Sequence, residues 1–254
     1  MISKHFADIE KSDIDALLEN AVSESRTLDY KEKLPSNSND DRKEFLADVI
    51  SFANAGGGDL IFGVREQRDA QNKQTGFPES IIGLAGINTD NEILRLESIL
   101  RDSVDPRLPS VQTRAIPGFT EGPVIIIRVA QSWTSPHRSK QDRHFYSRTS
   151  AGKYPMDVGE IRSAFALSSN LADAIRQFRD DRLARIIADE TPVLFGDKAR
   201  MVLYLIPQSS MMPSTTVNIQ SFIDSKEDRQ FLRPIYSAGG WSGRYNYEGY
   251  TSYT

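Results

Sequence analysis

The chain contains no cysteine. Disulfide staples, thiolate nucleophiles and Cys-based zinc or iron–sulfur centres are therefore excluded. Only three histidines occur, His5, His137 and His144, which argues against an all-His metal centre. No apolar stretch approaches the length that spans a bilayer, and Met1 to Glu10 lack the apolar run of a signal peptide. A cytoplasmic chain without a membrane partner is expected. Positive charge is not in excess: 31 Lys and Arg stand against 35 Asp and Glu, a formal net charge of −4. A surface coated for sequence-blind polyanion binding is thereby excluded, while a local basic patch is allowed. What is present suffices for a core, with 39% of 254 residues hydrophobic.

Hydropathy patterning predicts alternating helices and strands. Ser12 and Asp15 suit a helix start, and Ile14, Leu17, Leu18 and Val22 fall on one face. Residues 27–32 alternate as a strand, and 34–39 carry turn chemistry. From Asp40 onward, Phe45, Leu46, Val49, Ile50, Phe52 and Ala53 keep helical spacing until glycines 56 to 58 stop it. Leu60 to Val64 then reads as a short apolar strand, and the polar stretch 65–77 as a mobile connection. A further amphipathic helix is predicted over 91–104, strands over 111–116 and 123–130, and a polar loop over 131–141. In the strand-like 143–148 segment, odd and even positions would face opposite sides of a sheet.

Asp157 and Glu160 open a long helix towards Asp189 through Val158, Ile161, Phe165, Phe178 and Ile186, read as a core and packing element. The fold class is α/β in the mixed α+β sense. One domain is expected over 1–165, a connecting long helix over 157–190, and a partial second unit over 198–254. That unit would open on a strand over 199–206, and its last 19 residues hold five of the nine tyrosines. The open ending at Thr254 suggests a fragment of something longer.

Three carboxylates stand where chemistry could sit. Glu24 and Asp29 flank the start of the first strand, and Glu66 lies just beyond the strand that follows the glycines. If those strands are sheet neighbours, the acids converge at one sheet end as hard oxygen ligands for Mg²⁺ or Mn²⁺. Such an ion polarises a phosphate and lowers the pKa of a bound water. Residues five apart in a regular strand face opposite ways, so Glu24 must stand in an irregular turn before the strand. Lys31, two residues from Asp29, would orient the attacking water or balance charge. The alternative is that Glu24, Asp29 and Lys31 are solvated surface charges or a surface ion pair.

Gly56, Gly57 and Gly58 admit two readings. Their amides could cradle a phosphate such as that of ATP, or the glycines could simply cap a helix and turn into a buried strand. The lysine-and-hydroxyl ending of a P-loop is missing. Residues 128–153 hold six Lys and Arg against the single acid Asp142, interleaved with Trp133, His137, His144, Phe145, Tyr146 and Tyr154. Within it, Arg138, Lys140, Arg143, His144, Tyr146 and Arg148 are candidate nucleic-acid contacts, cations for phosphates and rings for stacking. The competing reading is a solvated hairpin whose arginines pair with local acids. His137 and His144 could act as general bases, although loop histidines are more often surface residues.

Together these residues form a family pattern. Glu24 to Glu32, Phe45 to Asn54, Gly57 to Val64, Ile82-Gly-Leu84, Ser135-Pro-His137, Tyr146-Ser-Arg148 and Met156 to Ile161 resemble, in order, the Schlafen AlbA-like domain. The resemblance implies a mixed β-sheet flanked by helices and a basic groove for structured RNA such as tRNA. Bacterial relatives of this kind are described as DNA-binding or ATP-binding proteins, and some act in anti-phage defence. RNA-cleaving members use an acidic trio that falls on Glu24, Asp29 and Glu66. Here Asp replaces the usual Glu at 29 and Glu the usual Asp at 66, which preserves charge but exchanges carboxylate reach. The leading expectation is thus a metal-dependent endoribonuclease. The competing one is a non-catalytic nucleic-acid- or nucleotide-binding regulatory module, and a third is an assembly subunit, as a homo-oligomer or within a defence complex.

Overall fold

The computed structural model describes residues 1–191, 204–206, 233–234, 239–246 and 249–253. It divides into two compact units, Met1–Ser168 and Ser169–Thr254. The first unit carries everything that bears on the site.

Its centre is a four-stranded mixed sheet in the order β1-β2-β7-β6, formed by β1 (Leu28–Lys31), β2 (Gly58–Phe62), β7 (Val124–Val129) and β6 (Val111–Ile116). β1 and β2 run parallel, with Asp29 beside Leu60, whereas β7 pairs antiparallel with both β2 and β6. A parallel pair needs a crossover, and α2 (Asn39–Asn54) supplies it. Ser38 caps α2 by accepting from the Asp41 amide at 3.1 Å, and Asp40 and Asp41 favour its positive end.

The sheet is buried on both faces, so its central strands are apolar throughout rather than alternating. Leu60, Phe62, Ile125, Ile127 and Val129 meet α2 and α3 (Thr89–Ser103) through Phe45, Leu46, Val49, Leu96 and Leu100. The intervening residues Ile61, Val124 and Ile126 turn the other way onto Phe6, Ile9 and Ile14, the last from α1 (Lys11–Glu19). The α1 capping box is Glu10 with Asp13, two residues earlier than the Ser12–Asp15 pair the sequence favoured. β5 (Val104–Asp105) pairs with β8 (Arg138–Ser139) and β9 (Tyr146–Thr149) with β10 (Gly152–Pro155), and β8, β9 and β10 pack on α2.

Three expectations need correction. The stretch 65–77 is no mobile connection: β3 (Val64–Arg68) and β4 (Gln74–Ile81) form a hairpin. Its turn is fixed by Asp69, whose Oδ1 accepts from the amides of Gln71 and Lys73. Polar composition hid it, because only one edge of each strand is covered and Glu66 occupies a buried position. α4 (Val158–Ile187) has the expected length but contains no buried residue, with Phe165 53% and Ile187 75% exposed, so it is not a core element. Finally, the strand expected over 199–206 falls mostly outside the described residues; further on, β11 (Ser242–Asn246) and β12 (Gly249–Tyr253) make an antiparallel hairpin. No helix among the described residues is long and apolar enough to cross a membrane.

Candidate functional site

β1 carries Asp29 and Lys31, two residues apart and on one face. Glu24 stands before the strand, where its amide donates to the Gly76 carbonyl at 2.7 Å and its Oε1 accepts from the Tyr30 amide at 2.7 Å. The irregular turn demanded by strand parity is therefore present. Glu66 comes from the β3–β4 hairpin, its Oε1 accepting from Gln74 Nε2 at 2.7 Å. The three acids are electrostatic neighbours. Burial and the charge of Asp29 push the Glu24 carboxyl up to about 8, and burial, assisted by Asp29, raises that of Glu66.

Asp29 behaves oppositely because two cations hold it. Its Oδ1 accepts from Lys31 Nζ at 2.7 Å, and its Oδ2 from Arg148 Nη2 at 2.8 Å. Burial opposes ionisation of Asp29, yet Lys31 and Arg148 outweigh it and bring its pKa below the ordinary value. Arg148 is 3% exposed and stacks its guanidinium 3.8 Å from the centroid of the Phe52 ring. Strand parity explains its position: Tyr146 and Arg148 share the buried face of β9 against α2.

Lys31 also reaches a fourth acid that sequence reading missed. Asp48 on α2 is 1% exposed. Its Oδ1 accepts from Lys153 Nζ at 2.7 Å, Lys31 Nζ lies 3.7 Å from its Oδ2, and Oδ2 itself has no hydrogen-bond partner. Burial works against the Lys31 charge, but Asp48 and Asp29 overcome it and raise the lysine pKa. The available signal was an aspartate on the apolar face of a helix, three residues after Phe45 and four before Phe52.

The fit of this group to Mg²⁺ or Mn²⁺ is poor. Among the described residues, no group of three or more His, Asp or Glu side chains is arranged to hold a metal ion. Both Asp29 oxygens already face protein cations, and burial raises the pKa of both Glu24 and Glu66, which works against the charged form a metal ligand needs. Lys31 and Arg148 occupy the electrostatic place that a divalent ion would take.

The basic segment is not one surface. Arg128 forms a two-armed pair with Asp59 at 2.7 and 2.9 Å, Arg148 turns in to Asp29, and Lys153 serves Asp48 and Glu44. Tyr146 is likewise buried, its hydroxyl donating to Asp142. Arg148 and Tyr146 therefore do not stand at the surface as phosphate and stacking groups. Arg138, Lys140, Arg143 and His144 do point to solvent. Arg138 pairs with Asp105 at 3.0 Å, Lys140 Nζ donates to the Asp102 carbonyl, and His144 lies beside Asp142. His137 is fully buried rather than a loop surface residue. Its Nδ1 lies 2.7 Å from the Pro106 carbonyl, so Nδ1 carries the proton, and Nε2 then accepts from the Ser132 hydroxyl at 2.6 Å.

The glycine turn is accounted for by packing. The Gly57 amide donates to the Phe52 carbonyl, closing α2, and a Cβ on Gly57, at φ +74°, would lie 2.8 Å from the Val129 carbonyl oxygen. A Cβ on Gly58 would strike the Phe52 ring at 2.1 Å. The Gly56 position alone is open, so the turn reads as a cap rather than a phosphate cradle.

A mixed sheet with a parallel β1–α2–β2 unit and an Asp-x-Lys strand against a buried Arg defines an AlbA-like α+β domain. Residues 24–157, more than half of the chain, match the family described as Schlafen, AlbA_2, and the chain belongs to that family. This membership supports a nucleic-acid-related domain. No curated protein matches the chain. Among solved structures it is similar to the DIP2311 protein from Corynebacterium diphtheriae, at 18% identity and a TM-score of 0.38, covering 57% of this chain and 29% of that one. It is also similar to the N-terminal domain of a RecG-related protein from Nitrosomonas europaea, at 16% identity and a TM-score of 0.39, covering 52% of this chain and 81% of that one.

Proposed function

We propose that the Met1–Ser168 unit is a nucleic-acid-binding module of the AlbA-like class that grips a phosphate backbone with Arg138, Lys140 and Arg143. The observation that carries this reading is the division of cations along one segment. Those facing inward neutralise Asp29, Asp48 and Asp59, while the three on the β8 turn stay exposed. His144 lies beside them, ring centroid 6.0 Å from that of Tyr146. A turn anchored by the β5–β8 pair presents these groups together, and phosphate contacts of this kind set register and orientation on a nucleic-acid strand.

Fluorescence anisotropy with labelled tRNA, single-stranded RNA and duplex DNA, across a salt series, tests it. Binding should weaken with salt, and the combined variant Arg138→Glu, Lys140→Glu, Arg143→Glu should flatten the log K against log[salt] slope by about 2–3. An unchanged slope, or no binding by the wild type, refutes the proposal.

A second reading is phosphodiester hydrolysis of tRNA or other structured RNA, favoured by the electrostatic proximity of Glu24, Asp29 and Glu66 to one another and to Lys31. In that reading Mg²⁺ or Mn²⁺ must first compete with Lys31 and Arg148 for Asp29. The same labelled RNAs, incubated with and without Mn²⁺, decide between the two: metal-dependent cleavage lost in Glu24→Ala establishes hydrolysis, and intact RNA leaves binding alone. A role in anti-phage defence would follow from hydrolysis, not from the domain.

A further inference from the structure

A cleft of about 360 Å³ opens where the carboxyl ends of the parallel strands β1 and β2 meet the first turns of α2. Ligands of open α/β units collect in this crevice, because the strands end there and the crossover leaves a gap. The walls are apolar, from Leu34, Phe45 and Phe62; Lys31 and Asp48 lie within it and Lys33 at its edge. Asp48 is the anomaly. A carboxylate oxygen with no hydrogen-bond partner on a residue 1% exposed is costly to desolvate unless something outside the chain completes it. Oδ1 faces Lys153, which is not part of the cleft, whereas Oδ2 faces Lys31, which is.

The occupant follows from these groups. Two ammonium groups already offset the Asp48 charge, so the missing partner is a neutral N–H donor rather than another cation. Beside that acceptor, Lys31 presents a donor, and Phe45 and Phe62 favour a flat, apolar-faced body. Lys33 is exposed with no ion pair among the described residues, on a rim whose other charges are Asp41, bound to the Ser36 amide, and Glu44, near Lys153. An anionic group on the ligand would lie on the Lys33 side.

We propose that this cleft binds a nucleobase, guanine best, with Asp48 Oδ2 accepting from its N1–H and N2–H₂ and Lys31 donating to its O6. Guanine offers two adjacent donors next to one acceptor, which matches the ammonium and carboxylate side by side. Uracil offers one donor between two acceptors, and its second carbonyl would face the carboxylate. The base can come from a free nucleotide or from an unpaired position of a bound strand; the latter source rests on the nucleic-acid reading above, the former does not.

Calorimetric titration of the full chain with GMP, AMP, CMP and UMP, beside anisotropy with G-rich and U-rich single strands, tests the proposal. GMP should bind about tenfold or more tightly than UMP, the worth of one hydrogen bond to a charged group. In Asp48→Asn the carbonyl stays with Lys153 and the amide enters the cleft, replacing acceptor by donor, so GMP affinity should fall at least tenfold. Should that variant not fold, Ser36→Trp at the exposed rim occludes the cleft from outside and must give the same loss. GMP binding without strand binding supports the cleft with free nucleotide as its source and overturns the nucleic-acid reading. Strand binding without GMP binding, equal affinity for all four nucleotides, or GMP affinity unchanged in both variants overturns the cleft assignment and leaves the backbone-gripping surface standing.

Discussion

Replacing Arg148 by methionine is the most informative perturbation of the buried network. Arg148 Nη2 donates to Asp29 Oδ2 at 2.8 Å, both residues are buried, and the guanidinium lies 3.8 Å from the Phe52 ring centroid. Removing one partner of a buried pair costs roughly 3–5 kcal/mol, because the other charge stays behind. Two effects reduce that figure. Lys31 still holds Asp29 at 2.7 Å, and Arg148 Nε and Nη1 are buried donors without partners, whose removal relieves about 1–3 kcal/mol. Methionine keeps an S–aromatic contact with Phe52, replacing part of the cation–π term. The net expectation is a loss of about 2 kcal/mol. With a urea m-value of about 2 kcal/mol/M for a unit of this size, the midpoint should fall by about 1 M with m unchanged. Trp133 fluorescence, read in a Trp241→Phe background, follows the first unit alone. A double-mutant cycle with Asp29→Asn should return a coupling of about 1–3 kcal/mol. A midpoint shift below about 0.3 M, or a coupling near zero, would refute the view that this pair organises the site.

Other consequences are equally direct. An acid whose folded pKa exceeds its unfolded value binds more protons when folded, so Glu24 makes stability decline as pH rises from about 4.5 to about 8; Glu24→Gln should flatten that decline in thermal melts, and an identical slope in both proteins would contradict the assignment. Gly58→Ala drives a methyl into the Phe52 ring and should cost about 1–3 kcal/mol in urea unfolding, whereas Gly56→Ala, with open space around it, should cost under about 1 kcal/mol. His137, whose pKa is lowered by burial, should show the neutral Nδ1–H tautomer in ¹⁵N spectra at pH 8; the Nε2–H tautomer there would contradict the Pro106–His137–Ser132 chain as described. Millimolar Mn²⁺ should leave the melting temperature within about 1 °C if protein cations already fill the acidic pocket, and a rise of several degrees would favour the hydrolytic reading.

The helices and the central strands were legible because burial on a fixed face imposes a period. Phe45, Leu46, Val49 and Ile50 could hardly belong to anything but a packed helix, and the run from Val124 to Val129 to anything but a central strand. The β3–β4 hairpin was not legible, since its strands are wetted along much of their length and its buried Glu66 looks polar in sequence. The same ambiguity hid the fates of the cations. A sequence counts charges but does not say which way they point, and Arg128, Arg148 and Lys153 were indistinguishable from Arg138, Lys140 and Arg143 until strand parity and α2 settled their direction.

That inward turn of half the basic segment follows from where the acids lie. Asp29, Asp48 and Asp59 are each buried against the sheet or α2, and a lone ionised carboxylate there would cost several kcal/mol. Each is matched by a long cation arriving from the second half of the domain: Arg148 and Lys153 from β9 and β10, Arg128 from β7. These pairs join residues 69 to 119 positions apart; the Arg128–Asp59 pair forms with the β2–β7 ladder, whereas the Arg148 and Lys153 pairs form only when the β9–β10 hairpin has docked on α2. The network thus couples closure of the domain to the neutralisation of the acidic pocket. Asp48 Oδ2 is the one oxygen of these three acids that closure leaves without a hydrogen bond, and it faces the cleft at the end of β1. A ligand completing it would draw Lys31 towards itself and away from Asp29, so occupancy of the cleft and the charge state of the acidic trio are linked through a single ammonium group.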